Sequence, residues 1–247
     1  MVLATRSGSR QKSGQECMRV LVISDIHSNW AALSAIQEEF DYCLCIGDLV
    51  DYGTNPLPCI EWVKQNAKAC VRGNHDHAVA QRVEAKGTTG FRRLACVTRP
   101  LHWKLLDRVR MKYLARLPIS QQITIEGTTF YLVHGTPRDP LDEYLTDNEA
   151  AWKIRLQGIN ADFICVGHTH VPFHLDLGEK HVVNPGSVGQ PRDGDPRCSY
   201  AIIEDGKVTL KRKEYDIQAA IRQMEEAGLT GESLEMASSV LLNGRMS

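Results

Sequence analysis

The order of elements along this chain predicts an α+β protein in which two β-sheets are flanked by helices. Two observations carry that prediction. From Met18 to about residue 117, short apolar strands alternate with polar loops and helices. Beyond that point, strand pairs meet at Glu126-Gly127 and at Asp205-Gly206, dipeptides suited to tight hairpin turns.

Each element has its own signal. Arg19-Val20-Leu21-Val22-Ile23 is a nearly continuous β-branched run, which reads as a buried strand. Ser28 or Asn29 can cap the next helix, with Leu33, Ile36 and Phe40 at helical spacing. A second strand covers 42–46, and Asn55-Pro56 reads as a cap and first turn of the next helix. Ala69-Cys70-Val71 is a third short strand. Residues 78–117 read as mostly helical, with Leu106, Val109, Tyr113 and Leu117 at three- and four-residue spacing. The hairpin 121–125/128–133, a helix near 147–157 and a strand at 162–166 follow. Strands near 171–175 and 180–183 and the hairpin 199–204/207–215 come next, and helices near 217–227 and 231–242 end the pattern. No linker divides 18–247, so it reads as one domain, with 218–247 as a helical extension. Residues 1–17 lack apolar periodicity and read as a disordered tail.

Composition narrows the function. The 247 residues carry 29 Lys plus Arg against 30 Asp plus Glu, a formal net charge of −1, which argues against a dedicated nucleic-acid binder. No apolar run approaches the ~18 residues of a membrane span. The eight cysteines form no Cys-x-x-Cys pair, and several lie in apolar strands, where they read as reduced, buried hydrophobes of a cytoplasmic protein. Segment 92–116 is rich in Arg and Lys. It reads first as a solvated helix face and second as a surface that draws in phosphate-bearing substrates.

The chemistry lies just past the strands. Asp25, His27, Asp48, Asn74, His75, His134, His168 and His170 each lie just past the end of a predicted strand. Singly, most have an ordinary explanation: Asp25 could be a helix cap, Gly47-Asp48 a turn, His134 a satisfied core histidine. Gly167-His168-Thr169-His170 says more, because two His at i and i+2 flanking a turn can converge on one region, and Gly73-Asn74-His75-Asp76 says more still, four polar residues with no packing purpose between an apolar strand and a helix. Together the set is not explained by packing. Taken as a ligand set, imidazole, carboxylate and amide oxygen would suit Mn, Fe, Ni, Co or Zn; they would exclude Ca, which wants oxygens, and Cu(I), which wants sulfur.

In this order, Asp25-Ile26-His27, Gly47-Asp48-Leu49-Val50-Asp51, Gly73-Asn74-His75-Asp76, Val133-His134-Gly135 and Gly167-His168-Thr169-His170 resemble the five motifs of the calcineurin-like metallophosphoesterases. The resemblance spans about 18–215 and includes Asn184-Pro185-Gly186-Ser187-Val188-Gly189, similar to a late motif of the small prokaryotic phosphodiesterases. Gly53-Thr54-Asn55-Pro56, the stretch from His134 to Pro140 and that from Pro191 to Arg197 are similar to a subgroup labelled diadenosine-tetraphosphatase-like. The resemblance implies a four-layer αββα sandwich of two mixed sheets with the metal site at the strand ends. It implies one divalent transition metal on Asp25, His27, Asp48 and His170 and a second on Asp48, Asn74, His134 and His168, with Mn the first expectation. Such metals would stand ~3.5–4 Å apart around the bridging Asp48 and deliver a bridging hydroxide to phosphorus.

The resemblance also implies His75 as proton donor to the leaving oxygen, held by Asp51, with Asp76 orienting its loop. Protein phosphatases of this superfamily place a phosphate-clamping Arg after the residue matching Asp51; this chain has Tyr52. Arg138, Arg192 and Arg197 are the basic candidates to take over, each with an Asp nearby that could pair it instead. The expected substrate is a small phosphorylated molecule: a phosphodiester, a phosphomonoester or a nucleotide phosphoanhydride. The alternative is a scaffold or interaction module on the same fold, as in the retromer subunit. Complete ligand positions favour the enzyme. Oligomeric state is left open.

Overall fold

The computed structural model describes residues 18–245; the expected 1–17 tail lies outside them. The strands are β1 (Arg19–Ile23), β2 (Tyr42–Cys45), β3 (Ala67–Cys70), β4 (Ser120–Ile125), β5 (Thr128–Val133), β6 (Phe163–Cys165), β7 (Phe173–Asp176), β8 (His181–Asn184), β9 (Cys198–Glu204) and β10 (Lys207–Lys213). The helices are α1 (Trp30–Ala35), α2 (Pro56–Asn66), α3 (Asn74–Ala80), α4 (Gly90–Leu105), α5 (Arg108–Arg116), α6 (Glu149–Arg155), α7 (Ile217–Glu226) and α8 (Gly231–Asn243).

The strands form two mixed sheets of five, in the orders β10-β9-β1-β2-β3 and β4-β5-β6-β8-β7. In the first, β1, β2 and β3 run parallel and β9 pairs antiparallel to β1. In the second, β5, β6 and β8 run parallel between the antiparallel edges β4 and β7.

Strand alternation sets the layers. Val20 and Val22 of β1 face inward and meet Phe130, Leu132, Phe163 and Cys165 of the other sheet. Leu21 and Ile23 face outward, against Leu33 of α1, Ile60 of α2 and Leu114 of α5. On the far face of the second sheet, Trp152 of α6 packs with Val133, Ile164 and Val182. The result is the four-layer αββα sandwich that the resemblance implies. A further cluster joins α4, α7 and α8 through Leu94, Met224, Ala237 and Leu241, and includes Tyr52.

Several boundaries differ from the sequence reading, each for a local reason. Helix α1 ends at Ala35, and Ile36 is already extended, so Phe40 packs on the core from outside the helix. Asn29 makes its cap, accepting the N–H of Ala32. Asn55 does not cap α2 through its side chain; its amide donates to Gln223 of α7 at 2.5 Å. The third strand starts two residues earlier than expected, at Ala67. The expected helical face in 106–117 is broken because Asp107 caps a new helix by accepting the N–H of Arg110. Leu106, Leu114 and Leu117 are buried, whereas Val109 is 67% exposed.

Candidate metal centre

Five parallel strands, β1, β2, β3, β5 and β6, stop at the same end of the two sheets, and each is followed by site residues. That end is where open α/β sheets present ligand-binding loops. Asp25 and His27 follow β1, Asp48 follows β2, Asn74 and His75 open α3 after β3, His134 follows β5, and His168 and His170 follow β6.

The loops interlock through their backbones. Asp25 N–H donates to the Gly47 carbonyl at 3.0 Å, His27 N–H to Asp48 at 3.0 Å and Ser28 N–H to Leu49 at 2.9 Å. Asp76 braces them from below: its carboxylate accepts the N–H groups of Asp48 and Leu49 at 2.8 Å and of Gly73 at 3.0 Å. Burial and the nearby Asp48 raise its pKa to about 7. Gly73 fits there for lack of a side chain, since a Cβ would lie 2.0 Å from Asp48 Oδ1.

The candidate ligands fall into two triads, Asp25–His27–His170 and Asp48–His134–His168, each with its ligand atoms within 4.8 Å of one another. All six residues are buried. Three of the histidines use Nδ1 on backbone carbonyls: His27 on Val50 at 2.9 Å, His134 on Ile46 at 2.8 Å and His170 on Gln190 at 2.6 Å. That arrangement leaves their Nε2 lone pairs turned to the centre. Each carboxylate has one oxygen held by the chain and one without a hydrogen-bond partner. Asp25 Oδ2 accepts from the Ser24 hydroxyl and from His168 N–H, and Asp48 Oδ1 accepts from His75 N–H.

Asp25 Oδ1, Asp48 Oδ2, Asn74 Oδ1, His134 Nε2 and His168 Nε2 are buried with no hydrogen-bond partner. Native interiors rarely leave such atoms orphaned, so five in one spot mark a place for cations. Distances between the triads are short: Asp48 Oδ2 is 3.8 Å from His27 Nε2, and Asp25 Oδ1 is 4.0 Å from His134 Nε2. Burial holds His168 down to about 3 and His27 well below its ordinary range, the neutral state a ligand needs. At His134 burial is outweighed by the Asp48 carboxylate, which lifts the pKa to about 10 and registers the negative potential a cation would meet.

Beside the triads, His75 Nδ1 lies 2.7 Å from Asp51 Oδ2. Its ring is flanked by those of Tyr52 at 4.6 Å and His27 at 5.1 Å between centroids. Burial would keep His75 neutral, but Asp48 and Asp51 outweigh it and raise the pKa.

The three candidate arginines sit differently. Arg138 is 70% exposed, with Glu143 at 3.9 Å. Arg197 is half exposed and bound to Asp195 at 2.6 Å. Arg192 is half-buried and has no ion pair among the described residues. Its backbone N–H reaches the carbonyl of His170, and its guanidinium carbon lies 3.8 Å from the centre of the Phe91 ring and 5.7 Å from that of Tyr52.

Sequence reasoning did not find Thr98, Arg99 and His102, three buried polar residues of α4 that grip 51–53. Their signal was masked, because they lie in the segment read as a solvated basic face. Tyr144 was also missed; its ring lies 3.9 Å from that of His168.

Known proteins share the fold and much of the sequence of this chain. Residues 18–206 match the model of the calcineurin-like phosphoesterase superfamily domain. An uncharacterised protein of Methanocaldococcus jannaschii is 32% identical over 228 residues, covering 83% of this chain and 91% of that one. The phosphodiesterase YfcE of Escherichia coli K12 is 25% identical over 200 residues, covering 78% and 91%. Among solved structures, a metallophosphoesterase from Sphaerobacter thermophilus superposes with a TM-score of 0.77 at 34% identity, covering 93% of this chain and all of that one.

Proposed function

The chain belongs to the calcineurin-like phosphoesterase superfamily, and from that premise we propose that it hydrolyses a small phosphoester through two metal sites. The observation that carries this reading is the group of five partnerless ligand atoms beside the His75–Asp51 pair. One site uses Asp25, His27, Asp48 and His170; the other uses Asp48, Asn74, His134 and His168. The donor set suits Mn first, and Fe, Ni, Co or Zn as well. Bound there, such cations supply a Lewis acid that lowers the pKa of the attacking water and neutralises the phosphoryl oxygens.

The chain's own residues do the rest. His75 gives its Nε2 proton to the leaving oxygen, while Asp51 holds Nδ1–H and sets the ring's orientation. Arg192, seated on Phe91 and Tyr52 without a carboxylate partner, takes the phosphoryl oxygens. Arg138 and Arg197, which face Glu143 and Asp195, would have to release those partners first. Phosphodiesters, phosphomonoesters and nucleotide phosphoanhydrides are the substrate classes to try. The cysteines of the described residues are all free thiols, which suits a reducing cytoplasm.

The test is metal analysis of the purified protein together with turnover of bis-p-nitrophenyl phosphate, p-nitrophenyl phosphate, cyclic nucleotides and dinucleoside polyphosphates. Metal-dependent hydrolysis of at least one is expected. Full activity after thorough chelation would sink the two-metal reading.

A further inference from the structure

Helix α4 makes five hydrogen bonds to residues 51–53, two of them on the carboxylate behind His75 and three on the backbone around it. Arg99 is only 7% exposed, and Asp51 is fully buried. Arg99 Nε donates to Asp51 Oδ2 at 2.9 Å and Nη2 donates to the same oxygen at 2.5 Å. That oxygen is also the one that accepts from His75 Nδ1 at 2.7 Å. Its twin, Asp51 Oδ1, is buried with no hydrogen-bond partner.

The same helix holds the backbone around that carboxylate. Asp51 N–H donates to His102 Nδ1 at 3.0 Å, and Tyr52 N–H donates to Thr98 Oγ1 at 3.0 Å. With Nδ1 as acceptor, His102 carries its proton on Nε2, which donates to the Gly53 carbonyl at 3.0 Å. Thr98, Arg99 and His102 are spaced as one helical face, so a single rigid element sets both the backbone of 51–53 and the carboxylate. Asp51 and Tyr52 adopt left-handed backbone, with φ of 66° and 62°, a conformation that needs such support.

We propose that Arg99 is a positioning residue for the proton donor, fixing Asp51 Oδ2 so that His75 Nδ1 stays bonded to it and the exchangeable proton sits on Nε2. This rests on the reading of His75 as donor. The charge and the two-pronged grip matter together. A guanidinium presents two N–H groups to one oxygen in a fixed plane; an ammonium cannot. Arg99 Nη1 also donates to the Val83 carbonyl at 3.0 Å, tying the 81–89 loop to the same unit. His75 Nε2 makes no hydrogen bond among the described residues, so it is open to substrate.

The role makes a kinetic prediction that a merely structural arginine does not. A donor matters when the leaving oxygen is a poor leaving group, and hardly at all when it leaves unaided. With the Mn-loaded full chain, rates should be measured on phosphodiesters whose leaving groups run from p-nitrophenol through phenol to a simple alcohol. Arg99→Met should slow the alcohol ester about 10–100-fold, the cost of losing a second-layer support, and the p-nitrophenyl ester by less than about threefold. Arg99→Lys, which keeps the charge and disturbs folding least, should show the same selectivity more mildly. Metal content should match wild type in both, and His75→Ala combined with Arg99→Lys should be no slower than His75→Ala alone.

A uniform slowing across all leaving groups with metals retained, or additive losses in the double variant, would overturn the proposal. If Arg99→Met fails to fold, Arg99→Lys decides on the same criteria. His75→Ala separates the two levels. Leaving-group dependence in His75→Ala but not in the Arg99 variants defeats the role of Arg99 alone. Its absence in His75→Ala defeats the donor reading, and this inference with it.

Discussion

Two regions of this molecule use left-handed backbone at non-glycine residues for opposite reasons. In the hairpin turns, Glu126 and Asp205 have φ of 47° and 51°, each followed by a glycine with positive φ. The registers Ile125↔Thr128 and Glu204↔Lys207 make both two-residue turns, and the twist of the flanking strands demands that conformation there. In the site loops, Asp25, His27, Ser28, Asp48, Asp51, Tyr52, His168 and His170 share it, all buried and none in a hairpin turn. At about 1–2 kcal/mol each, such residues persist only where the surroundings over-determine them. The turns are therefore local devices. The site loops are held by one another, by Asp76 and by α4. Backbone strain and orphaned polar atoms occur together at the site, and the rest of the sandwich supplies the stability that sustains them.

The largest effect should come from adding one carbon to each region. In Gly73→Ala the new Cβ would lie 2.0 Å from Asp48 Oδ1 and 2.6 Å from its backbone nitrogen, so the loop must open. Metal binding by direct elemental analysis should be lost, and phosphoesterase activity with it. Gly127→Ala meets nothing within 4 Å, although its φ is +86°. It should cost about 1 kcal/mol of stability through strain alone, with activity intact. Equal damage from both would show that the site loops are no more over-determined than a turn.

Asp48→Asn comes next and should strike function and stability together. Removing the charge beside both triads should cost activity more than any single ligand His→Ala, with metal content falling as well. In the chelated protein the Asp48 carboxylate lies 3.2 Å from His134 and, although burial opposes it, is held well below its ordinary pKa by the surrounding histidines, so losing its charge should lower the metal-free melting temperature as well. An unchanged or raised metal-free melting temperature would show that this buried pairing contributes nothing without metal.

Asp76→Asn should have a smaller, mixed effect. An amide offers one acceptor oxygen where three N–H groups now share two. Leaving a buried N–H unsatisfied costs about 1–3 kcal/mol, measurable by urea titration. Metal affinity should fall about 10–100-fold as Asp48 loosens. Asp205→Asn marks the bottom of the scale: Asn-Gly is the favoured pair for this turn, so stability should change by no more than about 1 kcal/mol and turnover not at all.

The strands, their order of appearance and both hairpins were legible because local patterns encode them. An apolar run states that a segment is buried, and a dipeptide such as Asp205-Gly206 carries its turn within itself. The candidate ligands were legible too, since polar residues just past buried strands have no packing role. Helix limits were less so. Asp107 starts a new helix inside what reads as one periodic face, and Asn55 turns its amide to Gln223, a partner far along the chain.

By itself the sequence marked the candidate ligands: the Asp, His and Asn groups after β1, β2, β3, β5 and β6. Tertiary structure alone decided how they are arranged. It sorted six buried candidate ligands into two triads, singled out Arg192 as the candidate arginine without a carboxylate partner, and brought Arg99 from a basic helix onto Asp51. The reason is physical. Periodicity records which side of an element avoids water, but the partner of a buried charge is set by where distant elements cross. Arg99 and Asp51 lie 48 residues apart in the chain, and no local pattern links them until α4 packs beside the strand ends.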